Sequence, residues 1–600
     1  MGTCKDLCIF LLYTYHFFSH LSIGTGEESA DIPLSHRRSA RDVWSAPPQT
    51  VDCRLGQWSE WSSCFPCQES KHRFRSLDQP AKYNGRICIG TLMETMKCKT
   101  ADKCVQPNIC GSDFKCEETG RCIKRQLVCN GELDCTDGSD ERDCDVPEDE
   151  TFCRQLFSIP GSEKAVRGFN ILTNDYAQNV YDNRYYGGQC EYIYNGEWRE
   201  LKYDPTCEQM YYADDEKYFR KPYNFHVYKF LARADTGLAF EVFEDSRELL
   251  NAIKRGGSFS LGFSFTVKPA ESPVGLEAGI TGRMSYERLK NITTYNAKNL
   301  RFMRLITKIQ TAQFKMRRNS IVIDEDMHQS LMELPDQYNY GLYSKFIQDY
   351  GTHFVTSGIM GGTLENILVL DHEIMKKKEI EYSTITRCIG GHLGLTLQSE
   401  DKQLEGALKI KGEHCKLVNE YNEDETGSNS FIKDVITNIK GGDTASTGGL
   451  MHFFDVNTYR SWGRSLKYNP SLIESEVQPI YEGLRLTGIS GIETKLKNLK
   501  TAYDVFLSEF NACRCGPCQN NGEPVLDNNA CTCLCPGGYS GPSCEETLRR
   551  GTKVDGSWSC WSSWSSCQYG KRQRTRACNN PGPQNDGMRC IGKDVNKVSC

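Results

Sequence analysis

The chain has 600 residues, a net charge of −6 and 31 cysteines. That length implies several domains. The mild charge offers no basic field, so no nucleic-acid partner is expected, and the cysteine load implies an oxidising compartment. The cysteines crowd at both ends and thin out between, so small disulfide-stapled modules flank a large domain with its own core.

Residues 1–24 carry Lys5 and the apolar run CIFLLYTYHFFSHL. This reads as a secretory signal peptide, shorter than a membrane helix needs. No later run of about eighteen apolar residues follows. A secreted chain is expected, and any entry into a membrane would use β-hairpins. Arg37, Arg38 and Arg41 offer a basic processing site, which would make 25–41 a propeptide; the alternative is an ordinary basic loop.

Residues 50–105 hold six cysteines and the run WSEWSSC, with Trp58 and Trp61 three apart and Arg73 and Arg75 two apart. Indoles interleaved with guanidiniums form a cation–π ladder that can hold a module with little core. The pattern resembles a thrombospondin type-1 repeat, which implies C-mannosylation of Trp58 and Trp61; stacked core is the plainer role for the same rings. Residues 108–146 add six more cysteines and end in CNGELDCTDGSDERDC. Acids packed this closely repel unless a hard cation sits among them, and oxygen ligands point to Ca2+. The run resembles the low-density-lipoprotein-receptor class A repeat. That resemblance implies a structural ion held by side chains of Asn130, Asp134, Asp140 and Glu141 and by backbone oxygens of Leu127 and Glu132. Asn130 is neutral where an Asp is common.

The large domain is expected over 147–512. Helical spacing is read at Glu244–Arg255, at Met284–Lys298 and at Asn429–Lys440, the last from Phe431, Val435, Ile436 and Ile439. Strand-like runs stand at Ser320–Ile323, Phe354–Thr356 and Thr363–Leu370. The stretch Gly256–Gly282 alternates with period two. Phe259, Leu261, Phe263, Phe265 and Val267 share one face, with Ser258, Ser260, Gly262, Ser264 and Thr266 on the other. After a Pro-bounded turn, Val274, Leu276, Ala278 and Ile280 resume the pattern. A second such stretch carries Leu393, Leu395 and Leu397, then Leu404, Leu408 and Ile410. Each arm has about the length a tilted strand needs to cross a bilayer. Two half-buried hairpins of a soluble sheet would show the same alternation.

Between the two stretches lies DYGTHFVTSGIMGG: Tyr350, Gly351, Thr352, His353 and Phe354, then Gly361 and Gly362. This is similar to the signature of the membrane attack complex/perforin family. The resemblance implies a multidomain α+β chain with a bent antiparallel central sheet. Its two helical clusters convert to transmembrane β-hairpins, and the alternating stretches fall where the family places them. His353 has no catalytic partner at recognisable spacing, and no enzyme is expected. Lys409 and Lys411 lie on the polar face and would cost about 2–4 kcal/mol each if they faced lipid at the midplane, so a place facing the lumen or beyond the bilayer is expected. Asn291-Ile-Thr293 is a glycosylation sequon, and Asn291 is expected to stay outside the bilayer.

Residues 513–546 resemble an epidermal-growth-factor-like module with seven cysteines. Residues 555–600 resemble a second thrombospondin repeat with five, whose Trp558, Trp561 and Trp564 repeat the ladder and imply C-mannosylation. Cys513–Cys560 would close both odd counts. Removing Cys4 and Cys8 with the leader leaves 29 cysteines, an odd number that suggests a bond to another molecule. Cys388 and Cys415 bracket the second hairpin and pair naturally. Cys153–Cys190 would close the start of the domain, leaving Cys207 in a polar, aromatic loop; a free thiol or another pairing is the alternative.

The module order resembles the terminal complement components. Membership implies a secreted plasma subunit that inserts hairpins into target membrane lipid and templates polymerisation of the ninth component, causing cytolysis. The partners implied are a lipocalin-like gamma chain bonded to Cys207, a non-covalent homologous beta chain, the complex of components five to seven, and the ninth component. An extracellular adhesion scaffold and a non-lytic relative are the competing readings.

Overall fold

The computed structural model describes residues 47–599 except 102–109, 145–152, 195–199, 205–208, 214–217, 232–235, 256–263, 268–279, 282–291, 394–429, 451–455 and gaps of one to three residues. Its centre is a nine-stranded sheet. The strands are β1 (Arg167–Asn170), β2 (Asp175–Asn179), β3 (Phe225–Phe230), β4 (Thr236–Phe243), β5 (Ser264–Val267), β6 (Leu300–Met316), β7 (His353–Asp371), β8 (Ile432–Lys440) and β9 (Ser471–Pro479). Six helices matter here: α1 (Ser246–Arg255), α2 (Glu325–Glu333), α3 (Tyr340–Tyr350), α4 (Tyr382–Leu393), α5 (Val456–Ser465) and α6 (Glu493–Glu509).

β6 and β7 are antiparallel along their length, and each changes its outer neighbour midway. On β7, residues 353–361 pair with β9 and residues 363–370 with β8. On β6, residues 302–309 pair with β4 and residues 312–316 with β3. Both changes occur at one level, where Gln310 faces Gly361 and the register shifts. The sheet therefore has two halves joined by two strands.

Each half is packed differently. In the half holding Phe354, the core gathers Tyr181, Phe314, Tyr343, Phe346 and Tyr503 from the helices and strands around it. α6 contributes Leu499, Ala502, Tyr503 and Phe506, apolar residues three or four apart on one face. α3 begins at Asn339, whose side chain accepts from the Leu342 amide, and stops at Gly351 with φ +84°. In the other half both sheet faces are covered. Met303, Leu305, Leu364 and Leu368 meet Ile385 and Ile389 of α4 and Trp462 of α5. Phe302, Ile367 and Val369 meet Leu249 and Leu250 of α1 and Val525 and Leu534 of the cysteine-rich module. Alternation sends neighbouring residues such as Phe302 and Met303 into opposite layers.

Three sequence expectations change. Asn429–Lys440 is not a helix: Ile432–Lys440 is strand β8, paired with β7. Phe354–Thr356 and Thr363–Leu370 are parts of one 19-residue strand. Ser320–Ile323 forms no strand, only a single bridge from Ile323 to Tyr181. The helix read at Glu244–Arg255 stands as α1, while most of Met284–Lys298 lies outside the described residues.

Candidate functional site

The level at which the two half-sheets meet is lined by glycines. A side chain at Gly361 would place its Cβ 1.9 Å from the Ile309 carbonyl oxygen, and one at Gly362 would meet Leu466 and Trp462 at 2.5–2.7 Å. Gly441 and Gly442, just after β8, take φ of +76° and +90° and pack onto the same point. The Trp462 indole closes the joint by donating to the Gly441 carbonyl at 2.9 Å. Sequence reading found Gly361 and Gly362 but missed Gly441, Gly442 and Trp462. The GGD run after an apolar segment was the available signal.

The rest of the signature is structural. His353 is fully buried; its Nδ1 lies 2.9 Å from the Thr352 hydroxyl and its Nε2 3.2 Å from the Tyr503 hydroxyl. Burial pulls its pKa down to about 3, so the ring is neutral at physiological pH. Tyr350 bonds Ser330 through its hydroxyl, and the Thr352 hydroxyl donates to the Phe169 carbonyl while accepting from the Ile171 amide. Phe354 stacks edge-on against Tyr181.

Of the alternating stretches, Phe265 and Val267 fall in β5, which lies parallel to β9 at the sheet edge. Ile280 belongs to a short strand, Ile280–Thr281, paired with Glu523–Asp527, and Leu393 ends α4. Ser258, Phe259, Leu261, Phe263, Val274, Leu276, Ala278, Leu395, Leu397, Leu404, Leu408, Ile410 and Asn291 lie outside the described residues.

In the acidic loop the Asp134 and Asp140 side chains are buried, and the Oδ1 of Asp140 has no hydrogen-bond partner. Burial, with Asp140 and Glu132 nearby, pushes Asp134 up to about 6. Asn130 donates to Asp134 at 2.9 Å, and Glu141 accepts from the Asn130 and Gly131 amides. The Leu127 side chain is buried under Tyr185. Among the described residues, no three His, Cys, Asp or Glu side chains gather as a metal site. The set read from sequence has three carboxylates, Asp134, Asp140 and Glu141, which do not gather in this way, beside Asn130 and two backbone oxygens. Sequence reading missed Arg121 and Arg220, which grip this loop. Arg121 is paired with Asp182 and Glu325, and Arg220 with Glu132.

Both tryptophan ladders are formed. Arg73 lies 4.7 Å from the Trp58 ring and 4.8 Å from Trp61, with Arg75 over Trp58. In the second, Arg574 lies between Trp561 and Trp564 at 4.9 and 4.5 Å, and Arg576 covers Trp558 and Trp561. Disulfides join Cys153 to Cys190 and Cys513 to Cys560. Cys388 is disulfide-bonded from within α4; Cys415 and Cys207 lie outside the described residues. Strands Glu200–Asp204 and Gln209–Ala213 pair as a hairpin on either side of Cys207.

Three family models match the chain: the MAC/Perforin domain over residues 164–516, the low-density lipoprotein receptor domain class A over 108–144, and the thrombospondin type 1 domain over 56–104 and 556–600. The chain is 50% identical over 557 residues to the rabbit (Oryctolagus cuniculus) complement component C8 alpha chain, covering 93% of this chain and 95% of that one. It is 31% identical to the mouse (Mus musculus) complement component C8 beta chain, covering 94% and 92%. Among solved structures, GNIP1Aa from Chromobacterium piscinae aligns with TM-score 0.35 at 13% identity, covering 73% and 83%. The chain belongs to the membrane attack complex/perforin family, in its terminal complement branch.

Proposed function

We propose that this chain is a pore-forming subunit of the terminal complement membrane attack complex. The observation that carries the reading is the MAC/perforin match over 164–516, whose long central strand changes neighbour at Gly361–Gly362 and lies between two alternating stretches. Its relatives are complement components, and adhesion is not favoured.

In the mechanism, α1 and α4 cover opposite faces of the same half-sheet. Lifting these layers frees the 256–282 and 393–411 stretches to extend β6 and β7 into hairpins. In lipid their backbone groups must find partners in a closed or growing barrel. The apolar parity faces lipid and Ser258, Ser260 and Ser264 face water. No described helix is long and apolar enough to cross a membrane, and the hairpin route needs none. The chain inserts after assembly, having been secreted. Chemistry on a substrate has no part in this; His353 serves packing.

Further readings accompany it. Asn130, Asp134, Asp140, Glu141 and the Leu127 and Glu132 oxygens would hold Ca2+, which would supply charge neutralisation that folds the module. The unpartnered Asp140 oxygen and the buried Asp134 favour this. Cys207 bonds a lipocalin-like gamma chain, a beta chain binds non-covalently, the complex of components five to seven receives the trimer, and the ninth component follows. Cys388 pairs with Cys415, Asn291 carries a glycan, and Trp58, Trp61, Trp558, Trp561 and Trp564 carry C-mannose. Reducing against non-reducing electrophoresis of the serum protein checks Cys207: release of a small partner is expected, and no mass change would sink that assignment.

The main test is a lock. Thr266→Cys with Glu476→Cys joins register partners on β5 and β9. Marker release from liposomes, with the other terminal components present, should fall when the lock is oxidised and return on mild reduction. Full release from the locked form would make the first hairpin a static part of the sheet.

A further inference from the structure

The acidic loop is held by the pore-forming domain as well as by its own disulfides. Glu132 faces two ways. Its carbonyl belongs to the proposed Ca2+ set, and its carboxylate reaches out to Arg220 Nη2 at 2.5 Å. The Arg220 side chain is 8% exposed; its guanidinium lies 3.8 Å from the Tyr186 ring centre and also donates to the Gln189 carbonyl at 3.3 Å. A second arginine repeats the grip. Arg121 donates to the Asp134 carbonyl and pairs with Asp182, and its Nη2 lies 2.9 Å from Glu325. Glu325 also accepts from the Thr136 amide at 2.8 Å and the Thr119 hydroxyl at 2.6 Å, both in the module.

The position of Arg220 gives this grip a consequence. It ends the strand Tyr218–Arg220, where it is the register partner of Tyr192 in the strand Tyr192–Tyr194. From these two strands the chain departs into, and returns from, the 195–217 insertion that contains Cys207. Lys221 fastens the same place by donating its amide to the Glu191 carbonyl at 2.8 Å. An ion pair this far out of water cannot lose one member without leaving the other charge buried and unpaired. Glu132 therefore cannot swing away from the ion site without disturbing Arg220.

We propose that Arg220 is a positioning residue that couples the Ca2+ loop to the base of the 195–217 insertion, so that the ion braces strands 192–194 and 218–220 as well as its own module. This rests on the Ca2+ reading above. Arg220 reaches Glu132 through its carboxylate, while the carbonyl of the same residue is the proposed ligand, so the guanidinium acts on the site by orienting Glu132.

The test is hydrogen–deuterium exchange on the full-length secreted protein, with Ca2+ and after EDTA, alongside a calcium titration by calorimetry. In the wild type, EDTA should speed exchange in 127–141 and also in 192–194 and 218–220. In Arg220→Met, the two strands should exchange fast with or without Ca2+, residues 127–141 should still respond, and calorimetry should still register Ca2+ binding. Arg220→Lys should restore part of the response. Glu132→Gln keeps the carbonyl ligand while removing the charge, and should give the same uncoupling if Arg220→Met does not fold. A wild type in which EDTA affects 127–141 alone overturns the coupling and leaves the Ca2+ reading standing. A wild type in which EDTA affects neither region overturns both.

Discussion

The indole nitrogen of Trp462 donates to the carbonyl of Gly441 at 2.9 Å, and Trp462 is fully buried. This bond ties α5 to the turn that follows β8, directly over Gly361 and Gly362. Trp462→Phe keeps most of the packing and leaves that carbonyl unpaired. It should cost about 1–3 kcal/mol, read as a lower midpoint in denaturant unfolding.

Adding a side chain at Gly361 should cost more than removing the indole bond. A Cβ at Gly361 meets the Ile309 carbonyl oxygen at 1.9 Å, which is backbone and cannot rotate aside. For a Cβ at Gly362 the nearest atoms belong to the side chains of Leu466 and Trp462. Gly362→Ala should therefore lose about 1–3 kcal/mol, and Gly361→Ala should lose more. Thermal unfolding of the pair of variants checks the ranking; equal losses would contradict the geometry.

His353 makes stability depend on pH. Its ring is held neutral in the fold, with a pKa near 3, whereas an unfolded histidine takes a proton below about 6.5. The fold's full stability is thus present above pH 6.5 and is lost as pH falls from there toward 3. The slope from this one group approaches about 1.4 kcal/mol per pH unit. His353→Gln, whatever its cost at pH 7.5, should show a shallower decline between pH 6.5 and 4. An unchanged slope would mean that the ring is not buried neutral.

Arg574 is the central rung of the second ladder. It is 6% exposed, lies between Trp561 and Trp564, and burial pulls its pKa down to about 10. Arg574→Ala removes two desolvated stacks, worth roughly 2 kcal/mol or more each. The near-ultraviolet dichroism of the stacked indoles should weaken, and the module's own unfolding should move to lower temperature. Arg572→Ala removes only the contact with Trp564 among those described, and should do less.

Short-range patterns in this chain were legible and long-range ones were not. Cysteine spacing, the WxxW runs and the YGTHF pentad are local, and each marked a module or the central strand. β8 misled because its apolar residues serve two layers. Val435 and Ile439 pack with the Trp462 cluster and Ile436 with the Leu249 cluster, while a register shift at Val369/Leu370 sends Ile432 to the first. A strand apolar on both faces with an irregular start mimics helical spacing. The length of β6 was missed because its Lys and Arg residues interrupt alternation. Arg304 is buried against Glu365, a partner 61 residues away. Arg121 and Arg220 escaped for the same reason, since their acids lie on distant segments.

One strand, β7, is shared by both halves of the sheet, with β9 along its first part and β8 along its second. Its hydrogen bonds to β9 end where those to β8 begin. The β9 pairs thus stop at the Gly361 level, whereas the β6–β7 pairs run through it. A hairpin grown from the far end would start in the β6–β7 register, fixed before any membrane is met.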